Sequence, residues 1–159
     1  MTLKRFAATV EINAPIDCVW NVIADVESVP EWQARLTSVT ALERDSCGRA
    51  TLCDMEAHAV GKTFKGHAVF SYEQPTRVSW RQTKGGMKVL TGKFELAALA
   101  DGRTAATFAL DAILEGILKI VVRGPIERAV IAMFIRPRVR DLKARVEQLS
   151  GSDARERSA

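Results

Sequence analysis

The stretch from Pro125 to Leu149 constrains the fold more than any other. Gly124-Pro125 reads as a helix start, because proline's fixed φ and missing N–H suit the first helical position. Ile131, Ile135, Val139, Leu142, Val146 and Leu149 then recur every three or four residues and share one helical face. Ile126, Val130, Met133, Phe134 and Pro137 form a second stripe, so the N-terminal half of the helix needs cover on more than one side. Such a helix is about 37 Å long, and only a large partner can bury it. Pro137 cannot donate to the carbonyl of Met133, which predicts a bend between residues 133 and 137. Arg128, Arg136, Arg138, Arg140, Lys143 and Arg145 are predicted to face water. Beyond Leu149 the apolar periodicity ends, and residues 150–159 are expected to be a disordered tail.

A chain of 159 residues, 47% of them hydrophobic, has the size of one domain with a sizeable core, here assigned to residues 1–149. The longest apolar run, Ala129 to Ile135, is far short of a membrane span, and no apolar leader follows Met1–Phe6. A soluble, cytoplasmic protein is therefore expected. Cys18, Cys47 and Cys53 are odd in number and lack metal-ligand spacing, so reduced thiols, no metal and no cofactor are expected. The net charge is +4, and ten Lys and Arg stand against five Asp and Glu from Lys119 onward. Phosphate binding needs such clusters. Here Glu127, Asp141 and Glu147 interrupt the cluster and no aromatics are interleaved for base stacking. The expected partner is thus a small molecule and no nucleic acid, with at most transient membrane-surface contact and a monomeric or weakly dimeric state.

Residues 5–13 alternate, with Phe6, Ala8, Val10 and Ile12 on one side, as in a half-buried strand. Pro15 starts a helix that buries Ile16, Val19, Trp20 and Ile23. Ser28-Val29-Pro30-Glu31 fits a capping box and predicts a second short helix carrying Trp32, whose indole either seals the core or overhangs an opening. Leu36, Val39 and Leu42 predict a strand with a bulge, and Asp45 to Gly48 a turn. From residue 49 to 114 consecutive strands follow, with turns at Gly61-Lys62, Gln74-Pro75-Thr76, Gly85-Gly86 and Asp101-Gly102. One face is apolar and the other polar, which describes an antiparallel sheet packed on one side, with the long helix as its natural partner. Gly66, Ala68, Gly92 and Ala106 are small residues on the inner face, and they leave either room for the helix backbone or an internal cavity. The apolar connection 116–124 is either ordinary core packing or a mobile gate.

This order of elements resembles the helix-grip fold of the START-like (SRPBCC) superfamily, an α+β architecture. In it a curved antiparallel sheet of about seven strands wraps a long C-terminal helix, with two short helices after the first strand. The nearer resemblance is to the polyketide cyclase/dehydrase and lipid-transport subfamily, and the chain is similar to coenzyme Q-binding proteins. It is carried by Ile12-Asn13-Ala14-Pro15-Ile16-Asp17-Cys18-Val19-Trp20, by the run from Ile23 to Gln33, by Glu73-Gln74-Pro75 to Trp80, by Gly92 to Leu96, and by Asp101-Gly102-Arg103-Thr104. These motifs specify fold more than function. The resemblance implies an apolar pocket between sheet and helix for a lipid, an isoprenoid or quinone, or a polyketide-like molecule.

By alternation that pocket is lined by Met55, Ala57, Phe64, Phe70, Trp80, Leu90, Phe94 and Phe108 of the sheet and Met133 and Phe134 of the helix, with Trp32 at its mouth. The same residues could equally fill a core. Tyr72, Gln82 and Lys88 are the candidate polar orienters, and with Cys53 they form no nucleophile–base set. His58 and His67 fall on the outer face of adjacent strands, where they could pair across the ladder. No catalytic residue is assigned. Binding or carriage of an apolar ligand is the expectation, more than enzymatic activity. The alternative is a polyketide cyclase, aromatase or dehydratase using the same pocket.

Overall fold

The computed structural model describes residues 2–59, 61–84, 90–114 and 123–158. Its strands are β1 (Thr2–Ile12), β2 (Leu36–Arg44), β3 (Ala50–Ala59), β4 (Lys62–Glu73), β5 (Arg77–Lys84), β6 (Leu90–Ala98) and β7 (Thr104–Leu114). They form one antiparallel sheet in the order β1-β7-β6-β5-β4-β3-β2. Each strand from β2 to β7 pairs with its neighbour in sequence, and β1 returns to pair with β7 from Thr2↔Leu114 to Ile12↔Thr104. Between β1 and β2 lie helix α1 (Ile16–Ala24) and a 3-10 helix, Val26–Glu31. At the C-terminus α2 (Pro125–Val130), a π-helical segment (Ile131–Ile135) and α3 (Arg136–Ser158) follow without a break. The sheet curls around this helix, which is the helix-grip arrangement.

The middle of the expected helical stripe is the core of the molecule, with Ile135 and Leu142 fully buried and Val139 and Val146 nearly so, while at its ends Ile131 is half-buried and Leu149 is 40% exposed. The buried residues divide between two apolar groups. Leu142 and Val146 pack with α1 and with Ile12, Cys53, Ala68, Phe70 and Val78, while Ile135 and Val139 pack with Phe6 and Phe108. Phe94 touches both groups. The bulge expected in β2 is present, with register shifts at Leu36/Ser38 and Ala41/Glu43. The Asp45 turn closes as expected, its Oδ1 accepting from the backbone N–H of Cys47 and Arg49 at 2.9 Å while Gly48 takes φ 81°.

Several expectations are corrected. The second helix begins at Val26, two residues before Ser28, and Ser28 Oγ donates to the Asp25 carbonyl, so Ser28 and Glu31 form no capping box. The helix interruption at Pro137 takes the form of π-helical bonding over Ile131–Ile135, the turn whose carbonyls the proline ring would crowd. The second apolar stripe is not covered on several sides by the described residues, since Ile126 is 45% and Met133 50% exposed. Beyond Leu149, α3 runs on to Ser158, with every residue from Gly151 to Ser158 exposed. His58 and His67 do not pair: register sets His67 opposite Asp54 and His58 opposite Thr63. The connection 116–124 lies mostly outside the described residues, so its reading as a gate does too.

The small residues of the inner face also resolve differently. A β-carbon on Gly92 would lie 2.4 Å from the Trp80 indole, and one on Gly66 would lie 2.4 Å from the Lys84 carbonyl oxygen. The space is filled by a neighbouring ring and by neighbouring backbone. Neither glycine opens a cavity toward the helix.

Candidate functional site

The site is assembled where the 3-10 helix ends against the first turn of α3. Backbone N–H groups of Trp32 and Gln33 both donate to the Val29 carbonyl, at 3.1 and 2.9 Å, and Leu36 N–H donates to the Gln33 carbonyl at 3.3 Å. These bonds turn Trp32 and Gln33 inward. Gln33 is 3% exposed, and its side-chain oxygen accepts a hydrogen bond from the Arg138 guanidinium. Arg138 in turn lies over the Phe108 ring at 5.8 Å. Phe108 packs on Phe94 with ring centroids 4.9 Å apart, and Phe94 on Trp32 at 6.5 Å. The contacts form a closed circuit: Trp32, Phe94, Phe108, Arg138, Gln33. Beside it Arg35 stacks over Phe134 at 4.8 Å.

The electrostatics are one-sided. Burial, and after it the charge of Arg35, pushes the Arg138 guanidinium down to about 10, still fully protonated at neutral pH. Asp141 opposes this shift, but its carboxylate is engaged 3.6 Å from Arg140. Among the described residues neither Arg138 nor Arg35 forms an ion pair. The Trp32 indole nitrogen and the Gln33 amide nitrogen are fully enclosed and have no acceptor among the described residues.

The sequence-derived candidates separate into three groups. Phe70 and Phe108 are core residues, at 7% and 4% exposure. Trp32, Met55, Ala57, Trp80, Leu90, Phe94 and Phe134 are half-buried, on or beside the concave face. Phe64 and Met133 are not enclosed, at 54% and 50% exposure. Of the proposed orienters, Tyr72 donates its hydroxyl to the Ala50 carbonyl at 2.6 Å beneath the Arg49 guanidinium, and burial pushes its pKa up. Gln82 donates its amide N–H to the Lys84 carbonyl at 3.1 Å. Lys88 lies outside the described residues. The structure brings together a different polar set, Arg138, Gln33 and Arg35.

Sequence reasoning missed Arg138 by treating charge as a mark of exposure. Its position was the available signal: it stands three residues after Ile135 and four before Leu142, within the buried stripe. Two surface hollows lie elsewhere, one of about 280 Å3 beside Asp25, Arg44 and Cys47 and one of about 320 Å3 between α1 and α3. Both are open and gather no aromatic surface. Among the described residues no three His, Cys, Asp or Glu side chains converge as metal ligands, and no helix is long and apolar enough to cross a membrane.

The family model described as polyketide cyclase / dehydrase and lipid transport matches residues 4–147. No curated protein matches the sequence significantly. Among solved structures, a START superfamily protein from Mycobacterium smegmatis superposes with TM-score 0.78 at 20% identity, over 91% of this chain and 98% of its own. The Zhui aromatase/cyclase from a Streptomyces species gives TM-score 0.78 at 17% identity, over 92% and 95%. The di-domain ARO/CYC protein BexL gives 0.72 at 21% identity, over 91% of this chain and 50% of that one. At these identities the likeness is one of fold.

Proposed function

The chain belongs to the polyketide cyclase/dehydrase and lipid transport family, and on that premise we propose that it binds or carries an apolar small molecule between sheet and C-terminal helix. A lipid, an isoprenoid or quinone, or a polyketide-like compound suits such a site, in a soluble cytoplasmic protein that is monomeric or weakly dimeric. The observation that carries this reading is the aromatic run Trp32–Phe94–Phe108, which faces the helix and joins the two apolar groups of the core. A ligand there gains about 25 cal/mol for each Å2 of apolar surface removed from water, before ordering costs are subtracted. Size and shape then select more than chemistry does, and affinities on the order of micromolar follow.

The second reading, a cyclase, aromatase or dehydratase, is favoured by the Arg138–Gln33 pair, whose donors could polarise a substrate carbonyl. Native mass spectrometry of freshly purified protein, followed by solvent extraction, tests the carrier reading. A stoichiometric lipid or quinone supports it. An empty protein that converts a poly-β-ketone thioester to a cyclised product overturns it in favour of the enzyme.

A further inference from the structure

We infer that Arg138, Gln33 and the Trp32 indole N–H form a receptor for a carboxylate, so that the ligand is an apolar acid rather than a neutral hydrocarbon. This rests on the carrier reading of the same site. The argument is a balance of donors and acceptors. Gln33 spends its oxygen on Arg138, which leaves its amide N–H groups; these and the indole N–H have no acceptor among the described residues. Arg138 offers five N–H donors in a planar fork, of which Gln33 accepts one. Every polar group still unpaired at this point is a donor, and what such a set lacks is an acceptor.

The charge narrows the choice of acceptor. Arg138 and Arg35 stand near enough for Arg35 to disfavour the charge on Arg138, and among the described residues no carboxylate pairs with either. Water could accept from the Arg138 fork but would leave the like charges of Arg138 and Arg35 without a counter-charge among the described residues. A carboxylate accepts from the fork in the bidentate manner that guanidinium favours, takes further bonds from neighbouring N–H groups, and offsets the repulsion. The walls set the rest of the ligand: Phe108, beneath the Arg138 head group, and Phe94, packed on Phe108, offer ring surface to a hydrocarbon or aromatic body.

The test compares 1-pyrenebutyrate with 1-pyrenebutanol, the same fluorescent body with and without the carboxylate, by fluorescence titration of the full chain. The acid should bind about 10- to 100-fold more tightly, the range of hydrogen bonds to a charged group. Arg138→Met should abolish that preference, bringing the acid's affinity down to that of the alcohol in the same variant. Arg138→Lys serves if the methionine variant does not fold; it keeps the charge without the fork and should retain a reduced preference. Equal binding of both probes by the native protein, or a preference unchanged by either substitution, overturns the receptor and leaves the apolar site standing. Failure of both probes to bind overturns the receptor together with the carrier reading.

Discussion

The Trp80 indole lies across Gly92 on the neighbouring strand, so close that a β-carbon there would sit 2.4 Å from Cε2 of the ring. The two residues are register partners on the concave face, and the absent side chain of one is the space occupied by the other. Gly92→Ala should therefore displace the indole and cost about 1–3 kcal/mol, the usual range for overpacking. Denaturant unfolding reads this directly. In a Trp80→Val background the same substitution should cost much less, because the partner it collides with is gone. Equal costs in both backgrounds would show that the indole does not determine the choice of glycine.

Trp20 and Trp32 should respond in opposite ways to truncation. Trp20 is 4% exposed on the buried face of α1, and its loss should remove about 3–5 kcal/mol of stability. Trp32 is half-buried at the edge of the aromatic run, so Trp32→Ala should weaken ligand binding by about 1–2 kcal/mol and cost less stability than Trp20→Ala. Thermal melts and isothermal titration with a bound probe separate the two. Unfolding by Trp32→Ala with residual affinity unchanged would make that indole a core residue.

Pro137 stands two residues past the end of the π-helical segment, and its ring would crowd the Met133 carbonyl in a regular α-helix. Pro137→Ala restores an N–H able to pair with that carbonyl. The segment Ile131–Ile135 should then return to α-helical bonding, rotating Phe134 and Ile135 against the sheet and changing the amount of ligand recovered on extraction. A crystal structure of the variant with the π segment unchanged would dispose of the idea.

Cys53 ties stability to alkaline pH. Burial, with a smaller contribution from the charge of Glu27, pushes its thiol from an ordinary value of 9.0 up to about 11. The folded state therefore retains a proton that the unfolded chain releases, so this contribution is full below pH 9 and is lost as pH rises through about 11. Tyr72, also raised by burial, extends the same decline to higher pH. Denaturation midpoints across this range should fall, and they should fall less steeply in Cys53→Ala. Parallel slopes would mean that the thiol is not coupled to folding.

Much of the fold was legible because hydrophobic periodicity is a local property. Ile135, Val139, Leu142 and Val146 announce a buried helical stripe, and the alternation around Cys53, Ala68, Phe70 and Phe108 announces a sheet with one covered face. The polar half of the site was not legible by that rule. Periodicity places Arg138 on the stripe, while the usual cost of burying a charge places it outside, and sequence alone cannot weigh one against the other. Gln33 looked unremarkable for the same reason: its partner lies 105 residues away.

The sequence by itself determined the order of the elements, the antiparallel sheet, the span of the terminal helix up to Leu149 and the location of its interruption, since each follows from spacing and from the chemistry of proline and glycine within a few residues. Only the tertiary structure decided that Gly92 makes room for Trp80, that Tyr72 is engaged by the Ala50 carbonyl, and that Arg138 turns inward onto Gln33 and Phe108. The physical reason is common to all three: the partner that settles each side chain comes from another strand, a hairpin or a distant helix, and the energy of a buried group depends on what meets it there.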